Sequence, residues 1–99
     1  MKLPFAEQAS VPEHKLTQYL LNPAHPAGGS KALFFLKFGF LASDWPRLAS
    51  ALLQQARDNE ITETERTAYG VRYVIDGLLS APDGTLLNIR SAWYIRYIK

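Results

Sequence analysis

The hydrophobic period changes once along this chain, at Asn59, and that change limits the folds open to it. Before Asn59 apolar residues recur about every 3.6 positions, whereas residues 60–67, 70–79 and 85–98 alternate apolar with polar. Helices first and antiparallel strands afterwards predict an α+β domain, with three N-terminal helices packed on one face of an antiparallel sheet of three strands, or four. At 99 residues and 47% apolar composition the chain reads as a single domain spanning 1–99, with enough apolar surface for a real core.

The helical half carries local start and stop signals. Ser10-Val11-Pro12-Glu13 has the spacing of a capping box, so a first helix is expected over Ser10–Leu21, ending before Asn22-Pro23. Two prolines and two glycines shape the loop Asn22–Gly29. Ser30 is the expected cap of a second helix, Lys31–Phe38, closed by Gly39 with Lys37 in its last turn. Leu33, Phe34, Phe35, Leu36 and Phe38 leave that helix almost no polar face, so it is expected to be buried. The third helix has Ser43 as its expected cap and Pro46 in its first turn. Its apolar stripe is 45, 48, 49, 52, 53 and 56.

In the second half, Ala68-Tyr69-Gly70 and Ala81-Pro82-Asp83-Gly84 read as hairpin turns. If the second turn pairs Ala81 with Thr85, Tyr73 faces Trp93, Ile75 faces Ser91, Asp76 faces Arg90 and Arg72 faces Tyr94. A slip of one residue would send one strand's apolar set to the wrong side. This register gathers Val71, Tyr73, Ile75, Leu87, Ile89, Trp93, Ile95 and Tyr97 on one face. Arg72, Asp76, Arg90, Tyr94 and Arg96 occupy the other, and Gly77 is a place where a bulge could shift the pairing.

Composition excludes several chemistries. With no cysteine there is no disulfide, thiolate nucleophile or zinc ribbon, and two histidines, His14 and His25, cannot build a histidine-rich metal site. No cofactor or metal is expected. The longest apolar stretch, Ala32 to Ala42, is broken by Lys37 and falls far short of the ~20 residues of a membrane span. Glu7 sits where a secretory signal needs its apolar core, so the expected location is cytoplasmic.

The net charge of +2 conceals an uneven distribution. No acid lies between Glu13 and Asp44, an interval that holds His14, Lys15, His25, Lys31 and Lys37. None follows Gly84, where Arg90, Arg96 and Lys99 lie, and Asp58, Glu60, Glu63 and Glu65 crowd between these stretches. Gly28-Gly29-Ser30-Lys31 at a helix start suits a phosphate, and equally suits a flexible turn with a capping serine. His25, in a rigid Asn-Pro-Ala-His-Pro loop, is a candidate proton-transfer group, or a surface histidine without a role. Arg72, Arg90, Tyr94 and Arg96 form a basic and aromatic face of the kind that binds phosphates and stacks bases. The plainer reading pairs Arg90 with Asp76 and sets Tyr94 beside Arg72.

The segment from Val11 to Ala32, with its His25-Pro26-x-Gly28-x-x-Lys31 core, resembles a bacterial domain family of unknown function. Its members are small stand-alone proteins or C-terminal domains of polymorphic-toxin and haemagglutinin-like proteins. The likeness continues through Phe34-Phe35, Gly39-Phe40, Asp44-Trp45, Tyr69-Gly70-x-Arg72-Tyr73, Pro82-Asp83-Gly84 and Arg90-x-x-Trp93. Helices followed by a sheet, at a toxin tip, are similar to the barnase–EndoU–colicin–RelE-like ribonucleases, a fold-level analogy. The resemblance implies a metal-independent ribonuclease-like toxin domain that cleaves RNA by general acid and base chemistry. In that mechanism His25 transfers protons, Lys31 with the amides of Gly29 and Ser30 holds phosphate, and Arg72 and Arg90 stabilise the phosphorane. Lys15, Tyr94 and Arg96 would place the strand. RNA and a cognate immunity or partner protein are the implied partners, with no membrane. The family continues past Trp93 into a further closing strand, so the alternatives are an inactive shortened copy or a non-catalytic protein-interaction module of a small bacterial gene pair.

Overall fold

A computed structural model of the chain describes residues 1–4, 9, 11, 13–27 and 29–96. The fold is α+β: a helical half precedes a three-stranded antiparallel sheet in the order β1-β2-β3. The strands are β1 Ile61–Arg66, β2 Gly70–Ser80 and β3 Leu86–Arg96. Pairing of β2 with β3 matches Tyr73 to Trp93, Ile75 to Ser91, Asp76 to Arg90 and Arg72 to Tyr94, the register expected from the hairpin turn. That turn closes as Ala81 N–H donates to the Thr85 carbonyl at 2.9 Å and Thr85 N–H donates to Asp83 Oδ1 at 2.9 Å.

Gly77 does not bulge. It stays in register with Ile89, and a Cβ there would lie 2.2 Å from the Asn59 side chain, so close packing is what calls for glycine. The irregularity falls instead in β1, between Ile61 and Glu63, where Thr62 swings its hydroxyl to the Val74 carbonyl and to Asp76. The far face of the sheet is also less polar than its arginines imply, because Val74 is buried there between Arg72 and Asp76.

The helical half departs further from expectation. Its first segment is a single α turn, α1 Glu13–Lys15, continued by a π-helical turn over Leu16–Leu20. The wider winding is fixed by the Leu21 N–H bond to the Leu16 carbonyl at 2.7 Å, and it buries both Leu16 and Leu21. Ser10 and Pro12 of the capping box, and the expected end of β3 beyond Arg96, lie outside the described residues. The second helix, α2 Gly29–Lys37, begins one residue before Ser30, which therefore sits inside its first turn. The third, α3 Trp45–Asp58, follows a 3₁₀ turn at Ala42–Asp44, so Asp44 and not Ser43 precedes it.

Of these elements α3 lies directly on β2, and α2 lies against the π segment. Leu16, Leu21, Phe35, Phe40, Leu48 and Leu52 join Leu79, Ala81 and Leu87 in one apolar cluster, while Leu3, Ala56 and Ile75 form a second. The expectation that α2 is buried fails: only Ala32 and Phe35 are buried, with Leu36 and Phe38 half-buried against the core and Leu33 and Phe34 exposed.

Gln55 is the polar member of the α3 inner face and is almost fully buried. Its Nε2 donates to the Ile89 carbonyl at 2.9 Å and the Ile75 carbonyl at 3.2 Å. Its Oε1 accepts from Ser91 Oγ at 2.7 Å, and Ser91 in turn accepts from Trp93 Nε1 at 2.9 Å. Among the described residues no buried side-chain nitrogen or oxygen lacks a partner. Gln55→Ala opens a cavity and orphans this chain of bonds, so urea denaturation should show a loss of about 2–4 kcal/mol with an unchanged slope. Ser91→Ala should cost less, about 1–2 kcal/mol.

Candidate functional site

The residues singled out from the sequence fall into two groups. The first surrounds Tyr19. Because the π turn ends in the buried Leu21, the chain leaves the helix into a loop held by its own bonds. Asn22 Oδ1 accepts from Ala24 N–H at 3.0 Å, the Asn22 carbonyl from His25 N–H at 3.1 Å, and the His25 carbonyl from Gly29 N–H at 2.9 Å. The His25 ring rests on Tyr19 with centroids 4.7 Å apart, and its Nδ1 accepts from Ala27 N–H at 3.0 Å. An accepting Nδ1 places the proton of the neutral ring on Nε2. Lys31 Nζ reaches Tyr19 Oη at 3.5 Å from the start of α2. His14, Lys15, Gln18, Tyr19, Leu20 and His25 line an open hollow of about 580 Å³.

Gly29, expected to let a phosphate approach, has a nearer reason to be glycine. A Cβ there would lie 2.6 Å from the Pro23 carbonyl oxygen, and its amide already donates to His25. Ser30 is exposed beside it, and Gly28 lies outside the described residues.

The second group stands on the far face of the sheet. Arg90 Nε donates to Asp76 Oδ1 at 2.8 Å and its terminal nitrogen to Oδ2 at 3.2 Å, with Glu63 at 3.8 Å. The Arg90 hydrogen bonds, then the Thr62 hydroxyl, hold the Asp76 carboxyl below the usual carboxylate range. The Asp76 carboxylate raises Arg90 in return. Arg72 faces Glu65 on β1 and Tyr94 on β3. Tyr94 Oη lies 2.9 Å from Thr67 Oγ1, and the Arg96 guanidinium lies 6.0 Å from the Tyr94 ring centre.

The sheet lies between the two groups. Leu16 and Leu21 pack with Leu79 and Leu87, which places the Tyr19 cluster in the helical layer. Arg72 and Arg90 alternate in sequence with the inward residues and point out of the opposite face. The structure thus brings His25, Lys31 and Lys15 into one neighbourhood, and Arg72, Arg90, Tyr94 and Arg96 into another, without joining them. Among the described residues no group of three or more His, Cys, Asp or Glu is placed to hold a metal ion, and no helix is long and apolar enough to cross a membrane.

Sequence reading passed over Tyr19, the residue on which His25 and Lys31 converge, because a tyrosine in an amphipathic helix reads as ordinary packing. It also passed over Gln55, although the spacing 48, 52, 55 puts it on the buried stripe of α3.

Comparison with family profiles matches residues 2–98 to Domain of unknown function (DUF6883). The chain belongs to this uncharacterised family. Comparison with curated proteins and with solved structures gave no match.

The Asp76–Arg90 pair makes the domain's stability depend on pH in a defined direction. The folded carboxyl titrates below its ordinary value of about 3.9, so the pair's contribution is present above that pH and is lost as pH falls through the folded value. Melting temperatures of the wild type and Asp76→Asn should differ slightly at pH 6, since the pair is exposed, and converge as pH falls through the lowered folded value of the carboxyl.

Proposed function

We propose that this domain works as a non-catalytic interaction module, binding a macromolecular partner rather than cleaving RNA. The observation that supports this reading is the sheet standing between His25 and Lys31 on one side and Arg72 and Arg90 on the other. Phosphodiester cleavage without metal needs base, acid and cations converging on one phosphate, within about 2.6–3.2 Å of the atoms they serve. Two further details agree. The lone pair of His25 Nδ1 is engaged by the Ala27 amide, and Arg90 shares its charge with Asp76 and Glu63.

A second reading, the ribonuclease-like toxin domain, draws on the basic side chains gathered about Tyr19. His14, Lys15, His25 and Lys31 lie there with no acid between positions 14 and 43 to offset them, which suits an RNA backbone. Total tRNA incubated with purified wild type, His25→Ala and Arg72→Ala in EDTA separates the two. Intact RNA in all three samples, and growth unaffected by expression, is the expected outcome. Cleavage by the wild type that His25→Ala abolishes would overturn the module reading in favour of the ribonuclease.

A further inference from the structure

The outer side of α2 is an unusually apolar surface for a helix exposed to water. Every residue from Ala32 to Leu36 is apolar, yet Leu33 is 61% and Phe34 39% exposed, and Leu41, just beyond the helix, is 54% exposed. Helical spacing sets Lys37 one turn from both Leu33 and Phe34, so a single cation stands within this apolar patch. The Lys37 ammonium lies 5.6 Å from the centre of the Phe38 ring. Phe34 packs edge-on against Phe35 and Phe38, with centroids 5.6 and 5.1 Å away, which holds its ring in place before any partner arrives. Contiguous apolar patches of this kind mark interaction sites, and preset aromatic anchors lose little entropy on docking.

Charge decides what can cover it. The chain carries no acid from His14 to Ser43, and among the described residues Lys37 forms no ion pair. A second copy docking through the same patch would bring two Lys37 ammoniums into one apolar interface and no carboxylate from α2. A membrane surface is a poor fit too, because a helix of nine residues offers little insertion area and Lys31 turns back to Tyr19. An apolar surface that bears a carboxylate satisfies both features at once.

We infer that the outer face of α2, formed by Leu33, Phe34 and Lys37, docks a partner protein through an acidic amphipathic helix. Its apolar stripe takes Leu33 and Phe34, and its carboxylates take Lys37. This rests on the interaction-module reading and names the surface and the chemistry of the partner.

The test uses the full chain and two synthetic helical peptides with the same leucine stripe at i, i+3, i+4 and i+7, one flanked by glutamates and the other by lysines. Fluorescence anisotropy at low salt should show the glutamate peptide bound at least about tenfold more tightly than the lysine peptide, a difference of about 1.4 kcal/mol. The double variant Leu33→Ser/Phe34→Ser should stay cooperatively folded, melting somewhat below the wild type because Phe34 gives up its edge-on contacts, and lose the binding. Lys37→Glu should reverse the preference between the peptides. Equal binding of the two peptides overturns the inference, as does binding indifferent to these substitutions. So does a concentration-dependent dimer that Leu33→Ser/Phe34→Ser dissolves, or attachment to phosphatidylserine vesicles without discrimination between the peptides. None of these results requires RNA cleavage, so failure of this surface and failure of the module reading are told apart by the tRNA assay.

Discussion

The carboxamide of Gln55 joins three elements at one point, and the arrangement of the sheet beneath α3 depends on it. Its amide donates to carbonyls on β2 and β3, and its oxygen accepts from Ser91, opposite Ile75 in the register. A slip of one residue in β3 would bring Arg90 or Ala92 under α3 in place of Ser91, leaving a buried amide oxygen without its donor. On the other side of the sheet the Asp76–Arg90 pair occupies the adjacent rung, between Ile75–Ser91 and Gly77–Ile89. The same stretch of register is therefore held from both faces. The buried side dominates: an exposed ion pair contributes about 0–1 kcal/mol, whereas an orphaned buried polar group costs about 1–3 kcal/mol. Arg90 is accordingly a structural cation first, with its fork held by Asp76 of β2 and Glu63 of β1 beyond it.

The sheet was legible because its determinants are local. A Pro-Asp-Gly turn and strict alternation are enough to match Tyr73 with Trp93 and Asp76 with Arg90, since period 2 admits no intermediate register. The helical half was less so. Whether the turn after Lys15 winds as α or π depends on where Leu16 and Leu21 find their pockets, and those pockets belong to α3 and to β2 and β3. The burial of α2 was misjudged for a related reason. Apolar composition says that a helix has something to bury, but not that this chain supplies neighbours on every side. Here the π segment covers one flank, and Leu33 and Phe34 face water.

The candidate site shows the same division. That the basic residues lie in two segments is plain from the sequence, and strand parity already assigns Arg72 and Arg90 to the face away from Val71 and Ile75. What parity cannot supply is the course of the loop after the π turn, which turns His25 onto Tyr19 and engages its Nδ1 within the loop. Gly29 is similar: a glycine at a helix start suggests a phosphate cradle, and only the path of the loop reveals the Pro23 carbonyl that occupies the space.

Leaving Leu33 and Phe34 partly in water forgoes a fraction of the roughly 1.5–3 kcal/mol that full burial of such a side chain returns, more for Leu33 than for Phe34, against the roughly 5–15 kcal/mol that holds a domain together. The fold tolerates this because its cohesion comes from elsewhere. The Gln55 network and the clusters around Leu48 and Ile75 draw on α2 and its C-terminal end through Ala32, Phe35, Leu36 and Phe38, and Leu33 and Phe34 are not among the residues packed on them. An apolar surface detached in this way from the stability of its own domain is free to be covered and uncovered. That condition distinguishes a docking face from a core residue that happens to be exposed.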